Sequence, residues 1–289
     1  MAMIRSSQFD KGGRKMALST AALLGLIQGI AELFPLSSLG ILVILPHVTH
    51  LAVPTTGSRY LPFLVALHLG TGLALFLYFI GDWYRLIRGL ILWLRGRRTP
   101  EGRLLWMVLV ASIPAGIVGL ALKKPLSHLF GDATWAAVFL VVNGFIMLWG
   151  DRLGRRRAKP RDIRDLNAGQ AFRIGLFQIL ALIPGLSRSG STMTGALGFG
   201  LSYRDAARFS FLMATPIILA AALVEVPKLH GGTHGLMGPA VVGGLVAAVA
   251  AWLSTRFLMR YFEHHRLRVF AVISMILGVG SLVLVGLHI

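Results

Sequence analysis

The stretch 183–201, "IPGLSRSGSTMTGALGFGL", carries a single charged side chain, Arg188, and no other charge occurs between Arg173 and Arg204. Around it stand Ser187, Ser189, Ser191 and Thr192, with Gly185 and Gly190 close by. A guanidinium among hydroxyls and flexible backbone N–H groups is the chemistry of an anion site, phosphate above all. One acid has a comparable setting. Glu32 lies deep in the apolar segment "GLIQGIAELFPLSSLG" (25–40), with Gln28 one helical turn before it and Ser37 and Ser38 just after. Either charge alone would be costly away from water, whereas together they would compensate each other. The plainer alternative is a salt bridge that only locks two segments together, with the serines capping helix starts.

What must position these residues is a membrane bundle. Of 289 residues 55% are apolar and 14% charged, and mean hydropathy is +0.73, far from a soluble domain's balance. Six stretches free of Arg, Lys, Asp and Glu are long enough to cross as helices: 61–80, 104–122, 133–150, 209–224, 236–255 and 269–287. The formal charge of +18 sits in loops such as "RGRRTPEGR" and "DRLGRRRAKPRDIR", which points to anionic lipid and orientation rather than nucleic acid. Cysteine is absent, which excludes disulfides and thiolate metal sites. Residues 1–16 read as a polar tail outside the fold, and the apolar run after it as retained membrane structure rather than a cleaved signal.

Two apolar regions are interrupted. Residues 17–48 are broken by "FPLSSLG" and 171–203 by "PGLSRSG", each into pieces too short to cross alone. At an offset of 150, 25–40 meets 175–190 with identities at Gly25, Leu26, Gln28, Ala31, Leu36, Ser37 and Gly40, seven in sixteen without a gap. Chance likeness between Leu/Gly-rich segments is one reading, an internal repeat the other. As a repeat, 17–150 would hold a re-entrant hairpin (17–48) and three spans, 151–166 a basic cytoplasmic linker, and 167–289 a second hairpin (171–203) and three spans. Three crossings per half make the copies inverted, and paired interrupted segments in such repeats mark a binding site near the midplane. The expected fold is therefore an all-α polytopic membrane protein, six full transmembrane helices plus two re-entrant helical hairpins in an inverted-topology repeat.

With both hairpins re-entrant, loops 81–103, 151–173, 201–208 and 256–268 share a side and carry twenty Lys and Arg. The opposite side carries Arg59, Lys123, Lys124 and Lys228, plus four in the tail. The twenty mark the cytoplasm, so the first hairpin opens outward and the second inward.

At these residues the chain resembles the bacterial undecaprenyl-diphosphate phosphatases of the bacitracin-resistance type. That family's (E/Q)xxxE motif and Pro-x-Ser-Ser stretch correspond to Gln28-Gly-Ile-Ala-Glu32 and Pro35-Leu-Ser-Ser38, and its PGxSRSxxT signature to Pro184–Thr192. Weaker likenesses extend over most of 17–287. The resemblance implies an integral phosphatase of the bacterial inner membrane that removes the terminal phosphate of undecaprenyl diphosphate, with its active site open to the periplasm. It implies Arg188 binding the phosphoryl group, Glu32 as acid/base or metal-associated carboxylate, and Ser38 as nucleophile or phosphate contact. Gln28, Ser37, Gly185, Ser187, Ser189 and Thr192 would bind substrate. A divalent cation, magnesium or calcium, would assist, and no organic cofactor is expected.

One departure stands out. The family pattern continues SSxGH, and here Ile41 follows Ser37-Ser38-Leu39-Gly40. His47 and His50 follow two turns later, and His68, inside the first full span, is expected to hydrogen-bond within the bundle rather than reach substrate. The missing histidine leaves two competing functions beside hydrolysis: a flippase for the polyprenyl phosphate, which an inverted repeat suits, and a homologue that binds lipid diphosphate without cleaving it.

Overall fold

The computed structural model describes residues 16–49, 51, 60–122, 132–156, 159–229 and 236–287. Residues 1–15 of the N-terminal tail, His50, Arg59, Lys123 and Lys124 lie outside the described residues, whereas Met16 is buried in the core. In chain order the helices are α1 (Leu18–Ala31), α2 (Ser38–Thr49), α3 (Tyr60–Tyr78), α4 (Ile80–Leu94), α5 (Pro100–Ala121) and α6 (Ala133–Arg155). They continue as α7 (Ala168–Ile179), α8 (Arg188–Gly198), α9 (Tyr203–Glu225), α10 (Met237–His264) and α11 (Arg268–Leu287). An isolated bridge between Arg161 and Leu201 is the one extended pairing among the described residues.

Helices α3, α5, α6, α9, α10 and α11 are long and apolar enough to cross a membrane, and each coincides with one of the six expected stretches, α3, α5 and α10 missing one or two terminal residues of theirs. Helices α5, α6, α9 and α10 reach further than an absence of charge suggests, α10 as far as His264. α9 begins at Tyr203, because Ser202 caps it and Asp205 in its first turn suits the positive end of the helix. α6 continues past residue 150 to Arg155, with Arg152 and Arg155 at the negative end. One expectation fails: the loop 81–103 contains α4, whose buried Trp83, Leu86 and Gly89 recur at helical spacing while Arg85 and Arg88 face outward. A search for uncharged length passes over an amphipathic helix of this kind.

The four short helices α1, α2, α7 and α8 have 14, 12, 12 and 11 residues. At 1.5 Å per residue they span about 16–21 Å, well under a hydrocarbon core of about 30 Å. α1 packs along α10 and α7 along α5, while α3 meets α9 and α6 meets α11. Both short-helix contacts depend on small residues. A Cβ on Gly25 would lie 2.2 Å from the Gly243 carbonyl oxygen, and one on Gly175 2.2 Å from that of Ala111. The breaks between the short helices touch each other. A Cβ on Gly40 would fall 2.7 Å from Gly185 Cα, and one on Gly190 3.3 Å from Pro35 Cβ. On the outer faces of the bundle Leu77, Leu245 and Ile276 are exposed, as side chains bathed in lipid are.

Candidate active site

Each break ends in a serine that starts the next helix. Ser37 Oγ accepts from Gly40 N–H at 3.3 Å and Ser187 Oγ from Gly190 N–H at 3.2 Å, so the two breaks are capped alike. Ser37 adopts φ 61°, which turns the chain sharply out of α1, and its hydroxyl donates to the Leu186 carbonyl of the other break at 3.3 Å. In the other break Ser187 has φ −84° and the positive φ falls two residues earlier, at Gly185 with φ 98°. Between the two stands a residue the sequence reading did not single out, Asn143 of α6. Its amide donates to the Pro35 carbonyl at 3.1 Å and to Ser274 Oγ at 3.0 Å, and its oxygen accepts from Ser187 N–H at 3.0 Å. One buried amide thus ties both breaks to the same depth. A lone asparagine within the apolar run "FLVVNGFIMLW" was the available signal.

Glu32 and Arg188 meet where the breaks cross. Arg188 Nη2 donates to Glu32 Oε1 at 2.9 Å, and Nη1 to the Ser210 carbonyl at 3.1 Å. The second carboxylate oxygen, Oε2, takes the Ser38 hydroxyl at 2.6 Å and Gln28 Nε2 at 3.3 Å. His68 Nε2 is 3.3 Å from the same oxygen. His68 does hydrogen-bond within the bundle, Nδ1 to the Leu64 carbonyl at 2.8 Å, but its other nitrogen reaches the site, contrary to the sequence expectation. An i, i+4 carbonyl satisfies only one ring nitrogen, and the span's rotation about its axis, which sequence does not give, carries the other to Glu32.

These groups form the polar end of a cavity of about 470 Å³. Glu32, Ser37, Ser38, His68, Ser187 and Arg188 line that end, and Leu64, Val65, Leu120, Ile217 and Val224 of α3, α5 and α9 line the apolar remainder. Ser38 and Arg188 are also the first residues of α2 and α8, so the positive ends of two helices border the same space.

Residues 21–280 match the family described as Bacitracin resistance protein BacA. The chain belongs to this family. It is 45% identical to an undecaprenyl-diphosphatase of Acidiphilium cryptum (strain JF-5) over 277 residues, 92% of this chain and 97% of that protein. It is 46% identical to the undecaprenyl-diphosphatase 2 of Chromobacterium violaceum over 270 residues, 91% and 96% of the two chains. With the undecaprenyl-diphosphatase 2 of Burkholderia thailandensis the identity is 48% over 248 residues, 86% and 89%.

The remaining expected positions of this BacA-family chain lie off the cavity wall. Ser189 Oγ donates to the Glu32 carbonyl at 3.3 Å, and Thr192 Oγ1 donates to the Arg188 carbonyl at 2.7 Å and pairs with Ser210 Oγ at 2.7 Å. Both therefore hold the backbone of a charged residue. Gly185 packs against α6, and Ile41 is half-buried outside the lining. His47 is exposed, its Nδ1 bonded to the Val43 carbonyl at 2.9 Å. Gln178, at the offset of 150 from Gln28, lines the cavity with its amide unpartnered among the described residues. No group of three or more His, Cys, Asp or Glu able to hold a metal ion occurs among the described residues. Glu32 and His68 are the metal-ligating groups at the polar end of the cavity, Glu225 lies at its far end paired with Lys228, and Arg188 beside Glu32 opposes a further positive charge.

Proposed function

We propose that this chain hydrolyses the terminal phosphate of undecaprenyl diphosphate and so regenerates the monophosphate carrier used for cell-wall polymers. The observation that carries this reading is the bond from the Ser38 hydroxyl to Glu32, beside Arg188, at the polar end of an otherwise aliphatic cavity. Phosphoryl transfer needs positive charge and oriented donors around the phosphoryl oxygens, and one group to activate the nucleophile. Arg188 and the starts of α2 and α8 supply the first. Glu32 supplies the second: the Ser38 proton already points at its carboxylate, so Ser38 attacks the terminal phosphorus as Glu32 takes that proton. Gln28 orients the carboxylate, Ser37, Ser187 and Gly185 shape the turns that present the donors, and Ser189 and Thr192 hold Glu32 and Arg188 in place. The apolar walls take the first part of the polyprenyl chain. A divalent cation would supply neutralisation of charge on the transferring group, but Arg188 on Glu32 and the lack of a group of three ligands among the described residues do not fit a resident one.

In the same reading the fold is an inverted repeat, 17–150 and 167–289, each half led by a re-entrant hairpin and joined by the basic segment 151–166. Three observations support it. Residues 25–40 and 175–190 align at an offset of 150; Gly40 against Gly185 and Gly190 against Pro35 are the same contact with the halves exchanged; and α1 on α10 mirrors α7 on α5. The lining of the cavity reaches Leu120 and Glu225, at the ends of α5 and α9 away from the arginine-rich loops. By the positive-inside rule that side is the periplasm of an inner-membrane protein.

The test is phosphate release from undecaprenyl diphosphate by purified protein in detergent, with and without Mg²⁺ or Ca²⁺, for the wild type and Arg188→Ala. Release by the wild type that disappears in Arg188→Ala is the expected result. Silence of the wild type under both metal conditions refutes hydrolysis, and transfer of labelled lipid across vesicles then separates a flippase from a non-hydrolysing binder.

A further inference from the structure

The histidine that this chain lacks at position 41 has a counterpart elsewhere. His68 Nδ1 faces the Leu64 carbonyl at 2.8 Å, and a carbonyl only accepts, so Nδ1 bears hydrogen. Nε2 faces Glu32 Oε2 at 3.3 Å. That carboxylate also receives Ser38, Gln28 and Arg188, the environment of an ionised acceptor, so the Nε2 contact calls for a second ring hydrogen. His68 is also the most open of the three ionic groups, its side chain 20% exposed against 9% for Glu32 and 10% for Arg188. It therefore presents a transferable proton to the cavity, while Ile41 stands outside the lining.

We propose that His68 is the second acid–base residue of this site, acting on the leaving group in the phosphatase reaction, on which the role rests. In the first step Ser38 Oγ bonds to the terminal phosphorus, its hydrogen passes to Glu32, and the bond from that phosphorus to the bridging oxygen breaks. His68 Nε2 gives its hydrogen to the bridging oxygen, which departs with the lipid monophosphate. In the second step water attacks the phosphoserine, its oxygen staying on phosphorus and one hydrogen passing to His68 Nε2. Ser38 Oγ leaves and recovers its hydrogen from Glu32. One water is consumed, inorganic phosphate and lipid monophosphate are released, and all three side chains regain their starting states.

The experiment compares kcat and KM for phosphate release from undecaprenyl diphosphate by the wild type, His68→Gln, His68→Ala and Ile41→His, with monodispersity in detergent checked for each. Glutamine keeps an N–H donor toward Glu32 but carries no transferable proton. The expected result is a fall in kcat of about 10²–10³-fold in both His68 variants, with KM within about threefold and Ile41→His within about threefold of wild type. Wild-type kcat in His68→Gln overturns the proposal and leaves His68 a hydrogen-bonding support, with hydrolysis intact. A gain of tenfold or more in Ile41→His also overturns it, because the imidazole would then have been missing. A silent wild type is a separate outcome: it removes the phosphatase reading and the role with it.

Discussion

Asn143 offers the sharpest test of how the two breaks are held together. Asn143→Leu keeps the approximate volume and removes three hydrogen bonds, to Pro35, Ser274 and Ser187. Ser274 Oγ still donates to the Leu140 carbonyl at 2.8 Å, so two groups are orphaned: the Pro35 carbonyl and the Ser187 N–H. Hydrogen bonds between membrane helices average about 0.6 kcal/mol, and three give a lower bound near 2 kcal/mol. Two buried orphans at about 1–3 kcal/mol each give an upper bound near 6 kcal/mol. At roughly 2 °C per kcal/mol for a chain of this size, Tm in detergent should fall by about 4–12 °C. Turnover should fall further than stability explains, since Ser187 starts the helix that begins with Arg188 and Pro35 precedes the turn to Ser38. Asn143→Asp is the companion. It keeps the acceptor for Ser187 but sets a carboxylate against the Pro35 carbonyl, and should be at least as damaging near neutral pH. An Asn143→Leu protein with unchanged Tm and unchanged kcat/KM would falsify the idea that this amide fixes the site.

Other outcomes follow from the same contacts. Arg188→Lys, one point charge in place of a fork that holds both Glu32 and the Ser210 carbonyl, should lower kcat about 10²–10³-fold in a phosphate-release assay. Glu32→Gln should abolish turnover yet bind inorganic diphosphate about tenfold more tightly by calorimetry, roughly 1.4 kcal/mol, because the competing anion is gone; weaker binding would contradict this. Gly185→Ala places a Cβ 2.3 Å from the Ala136 carbonyl at φ 98° and should lower Tm by several degrees, whereas at Gly119 the nearest atom is 3.6 Å away and alanine should be silent.

Much of this was legible before any coordinates. The pairing of Glu32 with Arg188 follows from two charges that apolar surroundings could not tolerate singly, and the six spans follow from uncharged length. Three features were not legible, each for a physical reason. α4 announces itself through periodicity, not through absence of charge. Asn143 and His68 sit in spans whose composition says only that they are buried; which way a residue faces depends on the rotation of its helix, and that is set by neighbours such as the Gly25–Gly243 contact of α1 with α10. The offset of 150 does place Gln28 and Gln178 in equivalent positions, but residue 182, equivalent to Glu32, is leucine. The proposed repeat is thus chemically asymmetric, with a carboxylate in one half and the guanidinium in the other.

That asymmetry joins stability to function. Before substrate arrives, Glu32 occupies one arm of Arg188, the Ser210 carbonyl takes the other, and Nε has no partner among the described residues. The pairing keeps two charges tolerable inside a bilayer, where either alone would cost several kcal/mol. A diphosphate entering the cavity carries more negative charge than the carboxylate and offers oxygens to the same guanidinium and to the starts of α2 and α8. In the proposed reaction Glu32 then gives up Arg188 while keeping Ser38 and Gln28, both on Oε2 rather than Oε1, and His68 turns its Nε2 hydrogen from that oxygen to the leaving group. In that proposal the carboxylate oxygen that holds the arginine is released, and the one that activates the serine stays in place. Neutralisation of the resting site and the proposed activation of the nucleophile are thus divided between the two oxygens of one carboxylate at the crossing of two breaks.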